Sequence, residues 1–162
     1  MASIRAQAGA QDDTFLAQAN AKMTIEFDPP AEDLRVLELV NKTNQFNLNG
    51  RRFTELEWRK QITDPPGAFV MAVSYRDRFG PPGKIAVIRG RICGAAVEVD
   101  TWVMSCRAFS RSIEHRCLGI LFERFSAEEI QLHFAATARN APFGEMLAQY
   151  SEDGVPFRTS AF

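Results

Sequence analysis

The sequence predicts an α+β domain in which a mixed, mainly antiparallel sheet is flanked by helices. Three observations predict it. Extended apolar stretches at 68–75, 84–91 and 92–106 follow one another with glycine- and proline-rich breaks, the pattern of an antiparallel meander. Helical periodicities lie on either side of that meander, two before it and two after it. The last extended stretch passes through a short basic turn straight into a helix, as VEVDTWVMSCRAFSRSIEH at 97–115, so strand and helix are joined with almost no loop.

Each element follows from its residues. Residues 1–22 read as a leader: through Gly9 they are small and polar without a hydrophobic period, and Asp12 or Asp13 then caps a short helix carrying Phe15, Leu16 and Ala19. The domain itself spans 23–162. Alternation at 23–27 predicts a first strand, which Asp28-Pro29-Pro30 stops. Leu34, Leu37 and Val40, with Val36 alongside, share one face of a helix over 32–40. The stretch NKTNQFNLNGRR at 41–52 is a polar loop whose asparagines at 41, 44, 47 and 49 satisfy or imitate backbone turns. Thr54 caps a second helix running to about 62, with Glu55 and Glu57 at the positive end of its dipole. Asp64-Pro65-Pro66-Gly67 turns the chain into the meander, whose breaks fall at Gly80-Pro81-Pro82-Gly83 and near Gly94. A helix over 113–125 buries Ile113, Cys117, Ile120, Leu121 and Phe125. A strand at 130–135, a helix at 141–150 and a last strand at 155–162 complete the order.

Composition narrows the function. With 162 residues, 46% of them hydrophobic, the chain supports one well-buried core. A net charge of -1 gives no global attraction to nucleic acid or to an anionic membrane, so any basic site is local. No apolar run reaches bilayer length and the first ten residues lack a secretory core, which predicts a cytosolic protein. Cys93, Cys106 and Cys117 lack metal-ligand spacing and form an odd set, as expected of reduced thiols; with His115 and His133 the only histidines, no metal is expected.

Chemistry concentrates at the strand-to-helix junction. The first N–H groups of a helix have no partners within it and sit at the positive end of its dipole, so an anion is favoured there. Arg107 and Arg111 add charge, and Ser110 and Ser112 add hydroxyl donors; the plainer reading is a solvated helix start with two surface arginines. Cys106 beside Arg107 suits a lowered thiol pKa and acyl carriage, against the commoner fate of a small buried residue. Cys93 and Cys117 read as core. Asp100 and Glu98 share strand parity, so one face could present a general base, or simply two solvated charges. His133 in its apolar strand is a proton shuttle or a hydrogen-bonded structural residue. Asn44, Gln45, Asn47 and Asn49 offer amides suited to a polyhydroxy ligand, or else cap their own loop. Asn140 caps the last helix or meets substrate.

The order from Arg107 to Ser112 resembles the R/Q-x-x-G-x-G/A loop with which GNAT acyltransferases hold the pyrophosphate of coenzyme A, with serine at both glycine positions. The element order is also that of the GNAT fold. NKTNQFNLNGRR at 41–52, YRDRFG at 75–80, VDTWVMSCR at 99–107, IEH at 113–115 and TARNAPF at 137–143 together resemble the C-terminal GNAT-like region of FkbH-type proteins, which help make acyl carrier protein-linked extender units for polyketide synthesis. The resemblance covers most of the chain after Met23. It implies a phosphopantetheine or coenzyme A thioester, its phosphate on Arg107, Ser110, Arg111 and Ser112 and its amides paired with the strand edge at Val103, Met104 and Ser105. It also implies a small hydroxyacyl group such as glyceryl, and places Asp100 ahead of Glu98. Acetyltransferases of this fold often use a tyrosine after the last helix as general acid, which points to Tyr150. Implied partners are an acyl carrier protein and a haloacid dehalogenase-type phosphatase domain or protein. No D-x-D follows a strand near the N-terminus here, so an excised domain and a stand-alone relative both stay open. So do two other functions: a non-catalytic module docking carrier protein to a phosphatase-like partner, and an amine N-acetyltransferase using acetyl coenzyme A.

Overall fold

The structure is a computed structural model and describes residues 2–5, 21–78, 80–109 and 113–150. The helix expected around 12–19 and the strand expected at 155–162 lie outside the described residues. Six strands, β1 (Ala2–Arg5), β2 (Lys22–Phe27), β3 (Ala68–Asp77), β4 (Gly80–Cys93), β5 (Ala96–Met104) and β6 (Glu129–Leu132), form one sheet in the order β1-β6-β5-β4-β3-β2. β2 to β5 pair antiparallel, as the meander pattern predicts, whereas β5 and β6 are parallel. Helices α1 (Leu34–Lys42) and α2 (Glu55–Thr63) precede the meander. The short α3 (Cys106–Phe109) and then α4 (Ile113–Phe125) connect β5 to β6, and α5 (Ala141–Ala148) follows. This is the α+β class that the sequence predicts, a mixed, mainly antiparallel sheet flanked by helices.

The helices sit on both faces and create two cores. On one face, Ile113, Cys117 and Leu121 of α4 and Phe143, Met146 and Leu147 of α5 pack on Met71, Ile88, Val99, Trp102, Ile130 and Leu132 of the sheet. On the other, Val36, Leu37 and Val40 of α1 and Trp58 of α2 cover Val70, Ala72, Val87 and Val103. The caps explain where these helices start. Asp33 accepts a hydrogen bond from Arg35 N–H and opens α1 two residues after the expected start. Thr54 and Glu57 form a reciprocal capping box, each side chain accepting the other's backbone N–H.

Three features depart from the expected pattern. Ala2–Arg5, expected as loose leader, pairs antiparallel with β6. The Gly80-Pro81-Pro82-Gly83 run belongs to β4: Asp77 pairs with Gly80 and Tyr75 with Gly83, so both prolines fall in a register shift where the ladder needs no N–H. The third is a bulge in β5. Gly90 pairs with Val99 and Arg89 with Thr101, leaving Asp100 as the extra residue. The bulge reverses side-chain parity, so Val97, Val99, Trp102 and Met104 all enter the first core while Val103 enters the second. Gly90 permits it, because a Cβ there would overlap Glu98 O and sit 3.1 Å from the Phe69 ring.

Candidate functional site

β5 and β6 run side by side only as far as Val99 and Leu132, and after His133 N–H donates to Val99 O they part. The chain itself fills the resulting wedge. Residues 46–48 lie antiparallel to β5 as a strap: Met104 N–H donates to Phe46 O at 2.9 Å and Leu48 N–H to Trp102 O at 2.9 Å. On the far side Ala135 N–H donates to Leu48 O at 3.2 Å. The strap is therefore paired on both edges.

Asparagine amides lock it in place. Fully buried Asn140 donates from Nδ2 to Asn47 O and Ala135 O and accepts from Thr137 N–H. It stands at the N-cap position of α5 but makes no side-chain bond to that helix, so the expected cap is instead a tie between two loops. Asn49 Nδ2 donates to Asp100 O at 2.7 Å and His133 O at 3.2 Å, bridging the wedge. Asn47 Oδ1 accepts from the N–H groups of Asn49 and Gly50, and its Nδ2 donates to Thr43 O. These three candidate substrate contacts spend their amides within the chain.

The strand edge expected to pair with pantetheine amides is spent as well. Met104 N–H serves the strap, Ser105 N–H donates to Ile85 O at 2.8 Å, and Val103 is fully buried in the second core. An arm laid along β5 in that manner has no main-chain partner left at Trp102 O or Met104 N.

Where the strap ends, a cavity of about 800 Å³ opens. Its walls are Lys42, Thr43, Asn44, Gln45 and Phe46, then Met104, Ser105 and Cys106, then Ala138, Arg139 and Pro142. Of the candidate residues it gathers Asn44, Gln45, Met104, Ser105 and Cys106. Asn44 Oδ1 accepts from Arg52 Nη2 at 2.7 Å, and Arg52 Nη1 donates to Val40 O, which fixes this rim to the end of α1. Cys106, expected either buried or activated, is exposed at the start of α3. Ser105 Oγ is covered by protein and has no hydrogen-bond partner among the described residues. Lys42 and Arg139 escaped the sequence reading. Each flanks a residue that drew attention for its amide, and nothing local marks their convergence.

The other candidates stand away from this cavity. Arg107 Nη2 lies 3.6 Å from the buried carboxylate of Asp77, with the guanidinium 5.9 Å from the centre of the Tyr75 ring. Asp100 forms an ion pair with Arg89, whose side chain is only 5% exposed and whose Nη2 also donates to Gln61 O. Burial pulls the Arg89 guanidinium below its ordinary pKa, with Asp100 acting against that shift. His133 Nε2 is 3.8 Å from Glu98, which pairs with Arg91, and Tyr150 stacks on His115 at 5.9 Å between ring centres. Ser110, Arg111 and Ser112 lie outside the described residues.

The described residues that line the cavity thus supply amides, a thiol and two cations, and none of them is a carboxylate or an imidazole. That chemistry binds and orients a polar or anionic ligand; it does not by itself abstract a proton. Among the described residues no cluster of three or more His, Cys, Asp or Glu side chains is placed to hold a metal, and no helix is long and apolar enough to cross a membrane.

No family model matches the chain, and no curated protein matches it in sequence. Among solved structures it is similar to L-PGS from Bacillus licheniformis, at 13% identity and a TM-score of 0.47. The match covers 95% of this chain and 54% of that one, so the chain spans about half the length of L-PGS.

Proposed function

We propose that this chain is an acyltransferase-like domain that binds a phosphopantetheine thioester, on an acyl carrier protein or as coenzyme A, and receives its small hydroxylated acyl end in the cavity beside Cys106. One observation carries the reading. Every wall of the cavity comes from one of the segments 41–52, 99–107 and 137–143, three of the five that resemble FkbH-type proteins. Asn44 and Gln45 carry the donors and acceptors that a glyceryl-like group requires, and Cys106 offers a thiol at the wall. By the same resemblance the biological setting is polyketide extender-unit assembly, with a haloacid dehalogenase-type phosphatase as the second partner.

A second reading, a non-catalytic module that docks carrier protein to that phosphatase, is favoured by the cavity walls. They hold no general base, and Asp100, the best candidate for one, is committed to Arg89. One titration separates the readings. The chain is mixed with coenzyme A, with a glyceryl pantetheine thioester, and with an acyl carrier protein in apo and holo form, while heat and acyl transfer to an acceptor are followed. Binding of holo but not apo carrier supports both readings; transfer then selects the enzyme and its absence the docking module. Equal binding of both carrier forms, or binding of none of the four, sinks them together.

A further inference from the structure

We infer that the phosphate of the pantetheine arm is held at the lip of the cavity by Arg139 and Lys42, and not by Arg107 at the turn that follows β5. The inference rests on the proposed binding of such an arm and adds where its charged end lies. Three observations lead to it. Arg107, the basic residue of that turn that the structure describes, faces inward onto Asp77 and Tyr75, so its charge is already matched by a buried carboxylate. The strap pairs with Trp102 O and Met104 N, so an arm anchored at the turn finds no strand edge to follow toward the cavity. The cavity brings its own cations. Arg139 is exposed on one wall with no ion-pair partner among the described residues, and Lys42, 74% exposed, stands on the wall formed by the end of α1.

Electrostatics decides between the two positions. No carboxylate is among the described residues that line the cavity, and Arg139 has no ion-pair partner among them, so a phosphate gains at Arg139 without displacing one. At Arg107 a phosphate would have to compete with Asp77. The two lip residues are not equal, because Lys42 is shared with Glu38 at 2.5 Å whereas Arg139 has its planar fork available for bidentate contact. Arg139 should therefore carry most of the effect.

The test compares 4′-phosphopantetheine with pantetheine, which lacks the phosphate, by calorimetry on wild type, Arg139→Gln, Lys42→Gln, Arg107→Gln, Arg107→Lys and Arg111→Gln. Arg139→Gln is expected to weaken 4′-phosphopantetheine about tenfold and leave pantetheine unchanged, with a flatter salt dependence. Lys42→Gln is expected to cost about two- to threefold. Both Arg107 variants and Arg111→Gln should bind like wild type; Arg107→Lys keeps a cation at Asp77 in case the glutamine variant unfolds. Loss of affinity in Arg107→Lys or Arg111→Gln with Arg139→Gln unaffected would return the phosphate to the turn and overturn this placement, while leaving the binding proposal intact. If wild type binds neither probe, the proposed function fails first and the placement with it.

Discussion

Asn140 is the residue on which two loops depend. Its amide, itself fully buried, donates to Asn47 O and Ala135 O and accepts from Thr137 N–H. Asn140→Asp keeps the shape but replaces a double donor with acceptors facing carbonyls, which should cost about 2–4 kcal/mol, measurable as a lower urea midpoint with unchanged slope. An unchanged midpoint would mean that the strap is not held there. Asp33 is a gentler case. The Lys84 ammonium, 2.8 Å away, holds its carboxyl below the ordinary range against the opposing effect of burial. A depressed folded pKa stabilises at pH values above the unfolded value and loses that contribution as pH falls through the folded one. Wild type should therefore exceed Asp33→Asn by about 0.5–1 kcal/mol near pH 6 and by almost nothing near pH 2, in paired denaturation curves. The Thr54 cap was legible in the sequence because capping is local chemistry, whereas Asp33 fell inside the helix expected over 32–40. Asn140 read as a cap for the same reason, and its true partners are up to 93 residues away.

Elements were legible wherever period and punctuation agree, as for α1, α2, α4 and the three meander strands. They were illegible where pairing overrides punctuation. Gly-Pro-Pro-Gly looks like a turn, yet β3 runs to Asp77 and β4 begins at Gly80, so the two strands absorb the prolines in a register shift. The β5 bulge has no signature of its own: strict alternation along the strand puts Val99 and Val103 on one face, and the extra residue at Asp100 sends them to opposite ones. Gly90 is its structural requirement. Gly90→Ala should cost at least about 2 kcal/mol and lower the melting temperature by several degrees, since the added methyl meets β5 backbone and the Phe69 ring, neither free to move far. A variant as stable as wild type would show that Gly90 and the Glu98 carbonyl do not meet.

At the scale of the whole molecule, the two cores sort the cysteines. Cys117 sits in the first core with its thiol pushed up to about 12 by burial first and by Glu114 second, whereas Cys106 is exposed at the cavity. Alkylation with iodoacetamide at pH 8, followed by peptide mass, should label Cys106 within minutes and Cys117 only on unfolding. Labelling at equal rates would contradict the packing of α4. The sequence alone determined the α+β class, the order of its elements, most helix and strand positions, and which segments deserved attention. Those properties follow from hydrophobic period, caps and turn residues, all local along the chain. Tertiary structure decided which side chains meet: that 46–48 closes the wedge beside β5, that Arg107 and Asp100 are each committed to a charged partner, and that Lys42, Asn44, Cys106 and Arg139 share one cavity. The physical reason is that main-chain pairing and ion pairing act through space between residues tens of positions apart, and no periodicity records a partner at that distance.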